Sequence, residues 1–411
     1  MAGDWTRTAL GAGCVEAAVM SGMHAARALS GTPAHISGDD LPDGDDLPPP
    51  VIPQPPAAPR GRYIELDGND TPRPPYTARN VTMYSFTLEA DVDRLQALCD
   101  RQLNLGGPVE YRPLGPFVFF VAATMSPISP ASPAAWTDEK DFGFWVPLVA
   151  GRRAGDGAFH AERPVFYIPY VWVDSDLAAQ AGREVFGYPK AVGRLANPSS
   201  PDDAAEFSID ARVVPEPGPP GAPGARWQWR RLVTASRRDA GTWGSLAGEL
   251  ASSAARRGVG TPTAPPAGRG AEPPVGSIAE LGRAVVAAIA DRLGDRALPA
   301  PSLALLASLG RDALALDVPM VFLKQFRDAA DGTAACYHAI VEAPNRMTRD
   351  PVEAGFLHGD WELAIEQFPT VRLIDRLGLR VREDGKLAAL LHIWIKFGFT
   401  AEPGQVIWRA V

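Results

Sequence analysis

Lysine is scarce in this chain of 411 residues, because only five of its 40 basic residues are lysines and the rest are arginines. No run of basic residues occurs and the formal net charge is −8, which argues against nucleic acid as a partner. The three cysteines are widely spaced without a CxxC pair, so no disulfide framework or metal site is predicted and a cytoplasmic location fits best. No apolar stretch reaches the roughly 20 residues of a membrane helix, so no membrane partner is expected.

Glycine and proline are abundant, with 40 and 41 residues, and they cluster. Residues 1–30 contain a helical pattern at 14–29, and residues 31–60 form an acidic, proline-rich stretch typical of an extended linker. The remainder, 61–411, reads as one domain with a partly disordered, partly helical insertion at 215–317. We therefore expect a helical N-terminal segment at 1–30, a linker at 31–60 and one large folded domain at 61–411.

Strand-like runs alternate with turn signals through the last of these segments. The runs lie at 80–87, 116–125, 142–150, 164–173, 205–214, 226–234, 319–327, 334–343, 355–367 and 387–400. Helical patterns follow Asp91, a residue suited to capping a helix, and recur at 174–181 and 371–379. The pattern predicts an α+β fold that is predominantly antiparallel β.

One lysine stands in an unusual setting, the apolar segment GREVFGYPKAVG at 182–193. Pro189 restricts the backbone before Lys190, so a rigid, glycine-punctuated loop is expected to present this lysine. Burial among apolar groups lowers the pKa of a lysine, and the neutral amine can then attack a ketone to form an imine. The alternative is a surface lysine in a turn.

The segment around Lys190 resembles the active-site segment of the acetoacetate decarboxylase-like superfamily. Weaker similarity extends over about 75–214 and 317–405. The resemblance implies a barrel of β-strands, a Schiff base formed by Lys190, no metal or organic cofactor, a small keto compound as substrate and a homo-oligomer.

The resemblance also implies acidic partners for the lysine, and here the chain departs from the family. Ala191 stands where acetoacetate decarboxylase has a second lysine, so burial has to lower the Lys190 pKa almost alone. One family carboxylate falls in the strand PFVFFVAATM, which has no acidic residue. The other is matched by Glu139, which has the family's residue type, or by Asp141, which has the better spacing.

Four further residues complete the expected site. Arg79 is the best match for the family's arginine, although it is two positions out of register. Arg183, Glu184 and Tyr188 are expected to line the substrate pocket, while the first two could instead serve as scaffold.

The first thirty residues carry a second resemblance, in AGDWTRTALGAGCVEAAVMSGMHAARALSG. This stretch is similar to the last flavin-binding segment of FAD-dependent amine oxidases and phytoene desaturases. No GxGxxG motif precedes it, so FAD is expected only if a further upstream domain exists.

The sequence thus predicts a Schiff-base-forming lyase that acts on a keto acid or related keto compound through Lys190. Decarboxylation, C–C cleavage and dehydration all remain open. The alternative is a non-catalytic binding or accessory domain of a flavin-dependent oxidoreductase fusion.

Overall fold

The chain divides into two units, Met1–Pro56 and Ala57–Val411. This computed structural model describes residues 15–34, 36, 63–64, 71–238, 318–347 and 353–410. In the first unit, helix α1 spans Val15–Ser30, which confirms the helix predicted at 14–29. The flavin-type Gly3-Asp4 pair lies outside the described residues, so the flavin resemblance stays a prediction.

In the part of the second unit that the structure describes, 15 strands form one sheet. The strands are β1 Arg73–Glu89, β2 Glu110–Pro113, β3 Phe117–Ser132, β4 Thr137–Arg153, β5 Phe159–Val173, β6 Lys190–Ala196, β7 Glu206–Val213, β8 Gln228–Arg237, β9 Met320–Arg327, β10 Ala335–Ala343, β11 Asn345–Met347, β12 Glu353–Phe356, β13 Trp361–Ile365, β14 Leu387–Ala401 and β15 Gln405–Arg409. The helices are α2 Val92–Gln102, α3 Asp176–Ala181 and α4 Leu373–Leu377, with a π-helical turn at Gly182–Phe186 and a 3-10 turn at Pro223–Ala225. No helix in these described ranges has the length and apolar character needed to cross a membrane.

Strand pairing is antiparallel except where β5 pairs with β6 and with β9. The order along the sheet is β15-β10-β9-β5-β6-β7-β8-β13-β14-β1-β3-β4-β2. Because β4 also pairs with β5, the strands from β5 through β6, β8, β14 and β3 to β4 close into a circuit. The predicted α+β, predominantly antiparallel class is confirmed.

Two segments differ from the sequence prediction. Lys190, expected in a loop, is instead the first residue of β6. Its backbone pairs with Val171 of β5. Strand β8, expected at 226–234, lies within the predicted insertion at 215–317 but pairs with β7 and β13 as part of the sheet. The rest of that insertion, 239–317, is outside the described part of the chain.

Alternation along β1 divides its side chains between two buried faces, as the pleat of a strand requires. Tyr84 and Phe86 point into an aromatic core, where the Phe86 ring lies 5.3 Å from that of Phe207. Val81 and Met83 point to the other face, which borders a cavity. The same strand thus supports the core and one wall of the candidate site.

Helix α2 begins where the sequence predicts. The Asp91 carboxylate accepts hydrogen bonds from the backbone N–H groups of Asp93 and Arg94, both at 3.0 Å, and so caps the helix. Gly378 ends α4 at a positive φ of 61°, and a side chain there would lie 2.8 Å from the Cβ atoms of Asp91 and Arg94. Glycine therefore permits the close packing of the two helix ends.

A buried carboxylate, Glu342, ties together three strands. It accepts a hydrogen bond from the Tyr111 hydroxyl at 3.0 Å, and Arg163 Nη2 donates to both of its oxygens at 2.7 and 2.8 Å. Burial and the Glu342 charge raise the pKa of Tyr111, so its hydroxyl remains a donor. A buried charge needs such partners to be tolerated.

We expect Tyr111→Phe to lower the free energy of unfolding by about 2 kcal/mol, because hydrogen bonds to charged groups contribute about 1.5–3 kcal/mol. Urea unfolding of the full chain measures the change. Tyr170→Phe is the matched control, since the Tyr170 hydroxyl makes no hydrogen bond within the described residues. Equal stabilities for the two variants would contradict this role of Tyr111.

Candidate active site

Lys190 is positioned by the irregular segment between β5 and β6. Helix α3 is capped by Ser175, whose hydroxyl accepts the N–H of Ala178 at 3.2 Å, and it passes directly into the π-helical turn. Gly187 ends that turn at a φ of 90°, and a side chain there would lie 2.6 Å from the Cα of Lys324. Only glycine suits both the conformation and the close approach, so the turn returns the chain to β5 with Lys190 in register beside Val171.

Gly182 makes room for the lysine side chain. A Cβ at this position would lie 2.7 Å from Cδ of Lys190 and 3.1 Å from its Cε. The aliphatic part of Lys190 thus packs directly against the helical backbone, which directs its ammonium away from solvent.

Two carboxylates reach the ammonium from β4. Glu139 and Asp141 are two residues apart, so the pleat points both side chains to the same face. Lys140, between them, points to the opposite face, where its Nζ donates to the Leu195 carbonyl at 3.4 Å. The charged run TDEKD at 137–141 is therefore part of a strand with one buried acidic face.

The three side chains form a buried triad, defined here as Lys190, Glu139 and Asp141. Lys190 Nζ lies 2.6 Å from Glu139 Oε1 and 3.3 Å from Asp141 Oδ2. The exposed fractions of the side chains are 11% for Lys190, 3% for Glu139 and 16% for Asp141. Both alternatives for the acidic partner therefore contact the lysine, with Glu139 the closer.

The electrostatics of the triad differ from the expectation of a lowered lysine pKa. Burial lowers the Lys190 pKa, but the negative charges of Glu139 and Asp141 together raise it by more. The net effect is a raised Lys190 pKa. Burial raises the pKa of Asp141 to about 6, although the Lys190 charge opposes this rise. The resting lysine is thus an ammonium held by two carboxylates, not a neutral amine.

The triad faces a cavity of about 340 Å³. Apart from the triad, its described lining is mostly apolar and aromatic. The polar side-chain groups belong to Tyr76, Thr137, Tyr188, Asn345 and the indole rings of Trp136 and Trp145. The apolar lining includes Val81, Met83, Met125, Ile128, Trp136, Trp145, Phe166, Ile168, Leu177, Phe186, Met320, Phe397 and Phe399.

A family model described as acetoacetate decarboxylase (ADC) matches residues 63–212. The resemblance to the acetoacetate decarboxylase-like superfamily is confirmed over this segment. All three triad residues lie inside it, and the family is named for an enzyme.

Three solved structures of enzymes show similarity to this chain. They are acetoacetate decarboxylase from Legionella pneumophila (15% identity, TM-score 0.46, covering 86% of this chain and 93% of that chain), an acetoacetate decarboxylase-like enzyme from Sphingomonas wittichii RW1 (12%, 0.43, 84% and 98%) and the enduracididine biosynthesis enzyme MppR with HEPES buffer bound (14%, 0.41, 81% and 88%). No curated protein matches this chain.

Three residues expected in the acetoacetate decarboxylase-like site lie elsewhere. Arg79 is exposed at a bulge in β1 and is not part of the cavity lining. Arg183 is also exposed, and its Nη1 donates to the Lys190 carbonyl at 3.1 Å. Glu184 accepts from the Thr71 hydroxyl at 2.6 Å, outside the lining. Arg183 and Glu184 therefore act as scaffold for the lysine segment.

Tyr188, in contrast, does line the cavity. Its ring lies 3.8 Å from that of Phe322 and its hydroxyl donates to Met320 Sδ at 3.0 Å. Lys190 Nζ lies 5.4 Å from the centre of the same ring, within cation–π range. Burial raises the Tyr188 pKa, so the ring remains a neutral wall.

Sequence reasoning misses Tyr76 and Asn345, which line the cavity from β1 and β11. Asn345 is buried, and its Nδ2 has no partner among the described residues. Both residues are far from Lys190 in sequence, and no local motif marks either one. Within the same described ranges, no three His, Cys, Asp or Glu side chains are grouped as metal ligands.

We expect Gly182→Ala to weaken the reactivity of Lys190 without unfolding the protein. The Gly182 backbone is α-helical, so alanine is tolerated there, but the new methyl group would displace the lysine side chain. Gly155→Ala is the control, since nothing lies within 4 Å of a Cβ at that position. Trinitrobenzene sulfonate labelling and peptide mapping of Lys190 would measure the change. Identical labelling in both variants would contradict the packing role.

The stability of the protein should depend on pH through Asp141. Its pKa rises from 3.8 in the unfolded chain to about 6, so the stabilisation that it contributes is present below about pH 4 and is lost as pH rises through 6. Asp141→Asn removes this dependence. Relative to the variant, the wild type should lose free energy of unfolding between pH 4 and pH 7, as measured by urea unfolding. If the difference in free energy of unfolding between the wild type and Asp141→Asn stayed constant with pH, this role of Asp141 would be contradicted.

Proposed function

We propose that this chain is a Schiff-base-forming lyase in which Lys190 attacks the carbonyl carbon of a keto compound. The observation that carries the proposal is the buried contact of Lys190 Nζ with Glu139 at 2.6 Å, at the wall of an apolar cavity. Further support comes from the family match, which includes both residues.

The nucleophile forms by proton transfer within the triad. The Lys190 ammonium gives a proton to Glu139 along their hydrogen bond, which leaves a neutral amine beside a neutral acid. The ion pair remains the resting form, and burial, which lowers the Lys190 pKa, makes the neutral pair accessible as a transient species. In this chain Glu139 thus activates Lys190 by accepting its proton. It takes the part of the second, cationic lysine that Ala191 replaces.

The amine adds to the substrate carbonyl and gives a carbinolamine. Glu139 then protonates the hydroxyl group, water leaves, and the protonated imine remains beside two carboxylates. This iminium accepts the electron pair of a neighbouring C–C bond, either with loss of CO₂ or with cleavage of a β-hydroxy compound whose hydroxyl proton passes to Asp141. After cleavage, Asp141 returns the hydroxyl proton to the enamine carbon, whereas after loss of CO₂ it first takes up a proton from water. Hydrolysis of the resulting iminium by a water molecule releases the product and the free lysine.

Asp141 suits the second role because of its pKa. A carboxyl group with a pKa of about 6 is able to both accept and return a proton near neutral pH. We therefore assign Asp141 as the acid that protonates the enamine.

Borohydride trapping tests the proposal. The protein is incubated with α-keto acids, β-keto acids, ketones and aldehydes, reduced with borohydride and mapped by mass spectrometry. We expect a covalent adduct on Lys190 and its complete loss in Lys190→Ala. Lys140→Ala is the matched control, since this lysine lies on the opposite face of β4 and should leave the adduct intact.

The same experiment separates the alternative function. A non-catalytic binding or accessory domain would bind compounds in the cavity without any adduct. In that case the wild type and Lys190→Ala would behave alike with the whole panel, and the lyase proposal would be wrong.

A further inference from the structure

The charges that line the cavity are unusual for a site that receives a keto acid. Its described lining contains one cationic side chain, Lys190, and two carboxylates, Glu139 and Asp141. No arginine or histidine belongs to this described lining. Arg79, the residue that matches the family's arginine, is exposed outside it.

We infer that the site takes an uncharged ketone or aldehyde with an apolar body, and not a keto acid. This inference rests on the proposed Schiff-base function of Lys190 and adds the class of substrate to it.

Charge is the first argument. With all three groups ionised, the triad carries a net charge of −1, and Lys190 already lies between two carboxylates. A substrate carboxylate would be a third anion in a buried site without a free cationic partner in the described lining. Burying an unpaired charge is costly. The iminium does not change this balance, since its single positive charge replaces that of the ammonium.

The walls of the cavity supply the second argument. Trp145, Phe166, Phe397 and Phe399 line it, so a bound molecule is surrounded mainly by hydrocarbon and aromatic surface. Such surface favours apolar groups. The unpartnered donors of the described lining, Trp145 Nε1 and Asn345 Nδ2, are uncharged and so leave the charge of a buried carboxylate unbalanced.

The rim of the cavity continues this apolar surface to solvent. Trp136 and Leu177 line the cavity, yet 68% and 40% of their surfaces are exposed. Exposed apolar residues that border a cavity are typical of binding sites for apolar ligands. Trp136 is therefore placed to contact a substrate body that extends out of the cavity.

Cavity volume gives the third argument. About 340 Å³ is near the lower end of the range of about 300–1,000 Å³ for sites that enclose drug-sized ligands. At about 30 Å³ for each water-sized group, it holds roughly ten non-hydrogen atoms. An acetoacetate ion, with about seven non-hydrogen atoms, would leave roughly a third of this apolar space unfilled.

An uncharged substrate also bears on the reaction, because it has no carboxylate to lose. The C–C bond that breaks is then the one next to a β-hydroxyl group, and the proton of that group passes to Asp141 as described above. Decarboxylation needs no such proton acceptor, whereas the triad contains a second carboxylate that can serve as one.

The test compares one keto acid with its methyl ester, so that the carbon skeleton is kept and the charge is removed. With 5-oxohexanoate and methyl 5-oxohexanoate, borohydride trapping on Lys190 is followed over time at pH 7.5. We expect the ester to label Lys190 at least ten times faster than the acid. Rates are normalised to those of a lysine-containing model peptide, which corrects for intrinsic reactivity.

Asp141→Asn serves as the electrostatic variant, because it removes one negative charge and keeps the size of the side chain. We expect it to raise the rate of the acid relative to that of the ester. Glu139→Gln provides a second variant of the same kind, and thermal unfolding checks that each is folded. An unchanged ratio in both folded variants would overturn the electrostatic argument.

The outcomes separate the two proposals. If the acid labels Lys190 as fast as the ester or faster, the inference about substrate charge is wrong, while the Schiff-base function stands. If neither these two compounds nor any member of the wider panel labels Lys190, the proposed function itself fails and the inference fails with it.

Discussion

A buried ammonium must be paired, and the contact of Lys190 with two carboxylates is the constraint on which the site is built. Strand β5 lies between the strands that supply the partners, since it pairs with β4 on one side and with β6 on the other. Along β5, Val171 lies beside Lys190 and Val173 lies beside Asp141. A shift of one residue in either register would turn the charged side chains to the opposite face.

The alternation of side chains along β6 also explains why alanine is tolerated at position 191, where acetoacetate decarboxylase has a second lysine. In β6 this residue points away from Lys190, and it borders an exposed surface with Trp172 and Trp229 instead of the cavity. A cationic side chain at this position would therefore extend from the opposite face of the strand. In this chain the protonation of the lysine is governed by carboxylates across β5 and not by its neighbour in sequence.

Much of the site could be predicted from the sequence because the triad depends on short segments. The Gly- and Pro-containing segment identifies Lys190, and the spacing of Glu139 and Asp141 fits one face of a strand. The start of β6 was not predicted, since glycine and proline suggest a loop while pairing with β5 and β7 supplies its hydrogen bonds. Arg79 is the best match for the family's arginine although it is two positions out of register, and it is exposed to solvent at a bulge in β1.

The walls of the cavity could not be predicted in the same way. Tyr76 and Asn345 come from β1 and β11, which meet only because both strands pair with β14. Such contacts depend on the topology of the whole sheet and leave no mark in local sequence. The expected homo-oligomer and cytoplasmic location likewise stay predictions.

The cavity combines segments that are far apart in the chain, and this bears on the order in which the site can form during synthesis. The triad and the segment that matches the family are complete by residue 212. The walls at Met320, Asn345 and Phe399 leave the ribosome only later. Until these walls are made, the chain contains Lys190 and its acidic partners but only part of the apolar enclosure. Full shielding of the amine from water therefore has to wait for the last strands of the sheet.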